Sequence, residues 1–136
     1  MKDKLYEICK NNNICLSKKQ LNQFQNFYNY LIEINQVMNL TSITEEDEVV
    51  IKHFYDSMSV TKYYDFEKGE RVIDVGTGAG FPGIPLAILL PELQFTLMDS
   101  LNKRITFLNN VVEKCELENV ECIHSRAEEL AKDEKY

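Results

Sequence analysis

Glycine is scarce in this chain, and its distribution is uneven. Four of the five glycines among 136 residues fall in one decapeptide, Asp74 to Gly83, "DVGTGAGFPG". Cysteine shows no C-x-x-C pair and no metal-ligand spacing. Cys9, Cys15, Cys115 and Cys122 therefore read as reduced thiols of a cytoplasmic protein, with neither a disulfide framework nor a metal site expected. No apolar run approaches the roughly 18 residues needed to span a bilayer. The start, "MKDKLYEICKNNN", is charged and lacks the apolar centre of a secretory signal. The two histidines, His53 and His124, lie far apart in the chain, and no nucleophile–base pair stands out. Positive charge is in the minority, with 15 Lys/Arg against 22 Asp/Glu and a net charge of −7. Neither half has the composition of a basic nucleic-acid module, although a local basic patch is compatible with that balance. Internal repeats and low-complexity tracts are missing as well. What remains is an ordinary globular composition, 44% hydrophobic and 27% charged, of a length that suits one domain or a small domain with an appendage.

Two textures divide it. Residues 1–64 read as a helical segment. "SKKQ", Ser17 to Gln20, has the form of a capping box. Leu21, Phe24, Phe27, Tyr28, Leu31 and Ile34 then recur at spacings of three and four, predicting one apolar stripe for core packing. "NLTSIT" (Asn39 to Thr44) breaks the pattern. Thr44 is positioned to cap a further helix whose acidic first turn, "EEDE", suits the positive end of a helix dipole. That helix is expected to run to about Tyr64. Residues 65–136 alternate instead. "RVIDV", "LQFTLMD" and "NVECIHS" read as strands, with "GIPLAILL" and "LNKRITFLNNVVEKC" as helices between them, the latter placing Ile105, Leu108 and Val112 on one face. Strand–helix–strand–helix–strand predicts parallel pairing with right-handed crossovers, hence a doubly wound α/β sheet.

In such a sheet the loop after the first strand opens the ligand crevice. Gly76, Gly78 and Gly80 make a G-x-G-x-G turn, and Gly83 completes a G-x-G-x-x-G spacing that also fits dinucleotides. Asp74, two residues before the first glycine, would repel a pyrophosphate and attract a cationic amino-acid group. Phe81 and Pro82 make the helix entry bulky, with proline near the first turn. Asp99 ends the second strand, 23 residues after Gly76, where a carboxylate can accept from both hydroxyls of a ribose. These features favour S-adenosylmethionine over a dinucleotide, with a plain tight turn as the remaining reading. "SRAEEL", Ser125 to Leu130, follows the third strand, where an adenine edge would lie, although Glu128 and Glu129 also suit the first turn of a helix.

Taken together, "NLTSIT", "HFYDS", "VIDVGTGAGFPGIPLAI", "LMDSLNKRITFL" and "SRAEEL", in this order and spacing, resemble the bacterial 16S ribosomal RNA (guanine-N7) methyltransferase G family, also called glucose-inhibited division protein B. The resemblance runs from about Leu21 to Leu130. It implies a Rossmann-like S-adenosylmethionine-dependent methyltransferase fold, present in part as the first three parallel strands, behind a helical N-terminal segment. It further implies cofactor contacts at Gly76 and Phe81 in the loop and at Ala127 and Glu128 after the third strand, beside Gly78 and Gly80, which the glycine turn itself offers to the cofactor. Asp99 would sit at the ribose and Asp74 near the methionine end. The implied substrate is N7 of a guanine in 16S ribosomal RNA or the small ribosomal subunit, at position 527 of that RNA. Family members continue after "SRAEEL" into further strands and a second serine–arginine–alanine segment whose arginine contacts the cofactor. The resemblance therefore implies an N-terminal portion, inactive on ribosomal RNA by itself and open to self-association through the edge of "RVIDV".

Guanine N7 carries a lone pair and no proton, so methyl transfer to it needs alignment rather than a general base. His53 and Asp56 fall on one helix face, either as part of a cleft rim or as a surface or interdomain hydrogen bond. Two other functions remain open on the same residues. One is a small-molecule methyltransferase, because fold does not fix substrate. The other is a regulatory module that binds the cofactor without turnover.

Overall fold

The computed structural model describes residues 1–130 and Lys132, without the side chains of Ala127 and Leu130. Two helices open the chain, α1 (Lys2–Lys10) and α2 (Lys18–Met38). The capping box forms as expected at α2. Ser17 Oγ accepts from the Gln20 N–H at 3.1 Å, and Gln20 Oε1 accepts from the Ser17 N–H at 2.8 Å. Phe24, Phe27 and Leu31 are fully buried along the stripe, while Leu21, Tyr28 and Ile34 flank it half-buried. Asn39 ends the helix in the left-handed region at φ 51°, its N–H donating back to the Asn35 carbonyl, a common terminus for a residue able to adopt that conformation.

The next segment departs from expectation. Thr44 does not cap it. The N-cap is Glu45, without a side-chain bond, and the first stretch of regular helix is only α3 (Glu46–Glu48). A π-helical segment (Val49–Tyr55), α4 (Asp56–Met58) and a 3₁₀ turn (Ser59–Lys62) follow. The acidic turn reaches sideways to α1 instead, where Lys4 pairs with Asp47 at 3.0 Å. The wide turn has a packing reason. Val49, Val50, Phe54 and Met58 are all fully buried, and i→i+5 bonding aligns 49 with 54, which a regular helix would rotate apart.

The α/β part follows the predicted order: β1 (Arg71–Val75), α5 (Gly83–Leu89), β2 (Gln94–Asp99), α6 (Asn102–Lys114), β3 (Val120–His124) and the short α7 (Ala127–Leu130). The three strands pair in parallel in the order β1-β2-β3. Helix α5 begins at Gly83 with Pro82 as its N-cap, two residues later than the bulky entry predicted at Phe81. Register places Val72, Asp74, Phe95, Leu97, Val120 and Cys122 on one face of the sheet. The apolar members of that set pack into the core with α2, α5 and α6. In α6, Ile105 and Leu108 are buried as expected and Val112 is half-buried, while Phe107 and Val111 complete the inner face. Phe107 stacks on Tyr30 of α2, ring centroids 5.4 Å apart, so α6 is covered from two sides.

One core serves both textures. Phe24, Phe27, Val50 and Phe54 pack in the same cluster as Ile84, Ile88, Leu97 and Leu108. Polar side chains fasten the joint. Gln20 Nε2 donates to the Ile88 carbonyl at 3.0 Å and Gln23 Nε2 to the Cys115 carbonyl at 2.9 Å. Buried Asn119 donates to the carbonyls of Ala87 and Leu90, which a helix C-terminus leaves without intrahelical partners. All four cysteines are free thiols. Burial pushes Cys9 and Cys122 up to about 11 and Cys115 to about 12, which keeps those three unreactive at neutral pH.

Candidate cofactor site at the strand ends

The glycines of the decapeptide do two different jobs. Gly76, Gly78 and Gly80 all have positive φ, at 69°, 61° and 97°, a region that L side chains rarely adopt. At Gly76 and Gly78 an added Cβ would meet no heavy atom within 4 Å, so the loop presents bare backbone to open space there. At Gly80 the same atom would lie 2.7 Å from Ile84 Cγ1, and at Gly83 it would run into Leu97 and lie 2.9 Å from Asp74 Oδ2. Those two glycines seat the loop against the core.

Two carboxylates hold the loop. Asp74 Oδ2 accepts from Thr77 Oγ1 at 2.7 Å and from the Gly83 N–H at 3.0 Å. Burial raises the Asp74 carboxyl above the ordinary carboxylate range; the two donors pull the other way, and the Asp99 charge adds to the rise. Asp99 is only 2% exposed. Its Oδ2 accepts from the Gly78 N–H at 2.9 Å and faces Arg104 Nη1 at 3.5 Å, while Oδ1 accepts from the Leu101 N–H at 2.9 Å. The Asp99 carbonyl also accepts from the Ser125 N–H at 3.1 Å, bringing the end of β3 to the end of β2. The carboxyl ends of the three strands thus converge around the loop, the position at which open α/β sheets bind ligands. Paired acidity beside bare backbone fits a ligand that carries a cationic group and ribose hydroxyls. It suits a pyrophosphate poorly.

Of the residues singled out from sequence, Asp74, Gly76, Gly78, Gly80 and Asp99 come together directly. Glu128 lies exposed in α7, the helix that follows β3. Ala127 belongs to the same helix, and its side chain lies outside the described residues. Phe81 closes the loop but faces inward. Its ring stacks on His53 at 4.2 Å and meets Phe27 at 5.5 Å. His53 stacks on Phe81 of the α/β part and lies 2.8 Å from Thr41 Oγ1 through its Nε2, a hydrogen bond within the helical segment, while Asp56 stays exposed. Burial lowers the His53 pKa, and Asp56 partly offsets this.

Sequence reasoning missed Thr77 and Arg104. A hydroxyl three residues after a carboxylate is a usable sign of a local turn, and the "G-T-G" context carried it. Arg104, five residues beyond Asp99 on the first turn of α6, became visible only through the fold.

Residues 20–136 match the family description of rRNA small subunit methyltransferase G. The chain belongs to that family. The ribosomal RNA small subunit methyltransferase G of Lachnoclostridium phytofermentans is 56% identical over 117 residues, covering 86% of this chain and 48% of that protein. Its counterpart in Thermoanaerobacter sp. is 54% identical over 132 residues, covering 97% of this chain and 55% of its own length. The chain thus spans about half the length of the curated relatives it matches. Among solved structures, a protein-L-isoaspartate O-methyltransferase aligns with a TM-score of 0.60 over 93% of this chain and 42% of its own, at 14% identity. That likeness shows a Rossmann-like fold. The sheet contains the three parallel strands expected from the sequence.

Proposed function

We propose that this chain is the cofactor-binding part of an S-adenosylmethionine-dependent ribosomal RNA methyltransferase, one that methylates N7 of a guanine in 16S ribosomal RNA within the cytoplasm. The observation that carries the reading is the join between Gly78 and Asp99, 2.9 Å from amide to carboxylate, at the strand ends of a chain from the small subunit methyltransferase G family. When bound, S-adenosylmethionine supplies an activated methyl group. The residues assigned to hold it are Gly76, Gly78 and Gly80 by close backbone approach, Asp99 at the ribose, Asp74 toward the cationic end, and Phe81, Ala127 and Glu128 at the flanks. Their work is binding and orientation. A lone pair at guanine N7 requires no proton to be removed, so holding the reactants in line accounts for most of the acceleration. The RNA partner is inferred from the names of the relatives.

Calorimetry with S-adenosylhomocysteine and with NAD tests the cofactor. The expected result is binding of the first and none of the second, and tighter binding of NAD would sink the methyltransferase reading. Labelled cofactor offered with 16S RNA, small subunits and small nucleophiles, using a chain of the relatives' full length, tests the substrate. Labelling of small nucleophiles alone would move the function to small-molecule methylation, and cofactor binding without any transfer would favour a regulatory module.

A further inference from the structure

Three observations meet on His53. It lies in the π-helical segment Val49–Tyr55, a geometry that is rare and concentrates at functional positions. Its ring lies within 7° of parallel to that of Phe81 at 4.2 Å, directly behind the glycine loop. Its Nε2 is 2.8 Å from Thr41 Oγ1, and Thr41 is itself clamped, its N–H donating to Asn35 Oδ1 at 2.8 Å and its carbonyl accepting from Asn35 Nδ2 at 3.0 Å. The neighbouring rings that also touch Phe81 are phenylalanines, Phe27 and Phe54, so apolar packing alone would be served by another hydrocarbon at 53. An imidazole adds what they cannot: a hydrogen bond that fixes the plane of the ring, in either tautomer, because a hydroxyl both donates and accepts.

We propose that His53 is a positioning residue for the cofactor loop, oriented by Thr41 and holding Phe81, so that loop geometry depends on the "NLTSIT" segment of the helical part. The link to affinity rests on the cofactor reading above; the link to loop geometry does not. Two measurements on the chain keep them apart: amide NMR spectra of the free chain, and S-adenosylhomocysteine titrations at a temperature where every variant is folded. His53→Ala should move the amide signals of Gly78, Gly80 and Phe81 and weaken binding about 3- to 10-fold, the worth of one aromatic pair. His53→Phe, which keeps the stack and lacks the hydrogen bond to Thr41, should restore only part of both, and Thr41→Val, which removes the same hydrogen bond, should match it. Loop amides that do not respond to His53→Ala or to Thr41→Val would overturn the coupling, whatever binds. Responding amides with unchanged affinity would overturn the positioning role. Responding amides in a chain that binds no S-adenosylhomocysteine would uphold the coupling and overturn the cofactor reading. If His53→Ala does not fold, Thr41→Val and His53→Phe against the parent decide between the same outcomes.

Discussion

At the scale of single residues, the two carboxylates of the loop answer to different physics. Asp99 is buried with three donors around it, so removing it strands the N–H groups of Gly78 and Leu101 as well as any ribose hydroxyl. Asp99→Ala should cost about 1–3 kcal/mol in urea unfolding and weaken S-adenosylhomocysteine by a similar ~1–3 kcal/mol in calorimetry, the range for hydrogen bonds to charged or buried groups. Unchanged affinity would take Asp99 out of the site. Asp74 has a raised folded pKa. Its contribution to stability is therefore fully present below the ordinary carboxylate range and is lost as pH rises through the folded value. Asn keeps an acceptor for Thr77 and Gly83 without the buried charge. Asp74→Asn should accordingly be more stable than the parent at pH 7, with the difference vanishing below about pH 4, while its cofactor affinity falls. Thermal unfolding across pH checks the first statement; a variant destabilised at pH 7 would contradict it.

At the scale of elements, Gln20 ties two helices with one amide. Its oxygen completes the capping box of α2, and its nitrogen donates to the carbonyls of Ile88 and Leu89 at the end of α5. Gln20→Ala should destabilise the chain by about 1–2 kcal/mol, combining the loss of a cap with that of a hydrogen bond between elements. Gln20→Glu, which keeps the capping oxygen and loses the donor, should cost about half as much. Equal losses in urea unfolding would assign the whole effect to the α5 contact. The "SKKQ" signature announced the cap; nothing in it announced α5, because that partner is 68 residues away.

At the scale of the whole molecule, the open part of the sheet is at β1, because Met98, on the same face of β2 as Ile73 and Val75, is buried. Among the described residues β1 pairs only with β2, and its other edge is free to pair. Register puts Ile73 and Val75 on the face turned away from α5 and α6, and they are 40% and 53% exposed. Val60, Tyr64 and Phe66 line a groove beside the same strand. An apolar edge with open backbone groups invites pairing with another chain. Light scattering should therefore show concentration-dependent association, reduced by Ile73→Lys. A stable monomer at high concentration would contradict this.

Periodicity and punctuation by themselves determined the order of the strands and helices, the α2 stripe and the glycine turn, because these depend on residues a few positions apart. The positive φ of Gly76, Gly78 and Gly80 follows from the same local logic, and so does the placing of Asp99 at the end of β2. Tertiary structure alone decided the π-helical turn, where fully buried Val49, Val50 and Phe54 had to meet a core built from other elements, at the expense of the cap expected at Thr44. It also decided that Phe81 faces His53 and that Arg104 reaches Asp99. Those contacts join segments whose spacing carries no sign of one another, and burial against a shared core, rather than local propensity, selects them.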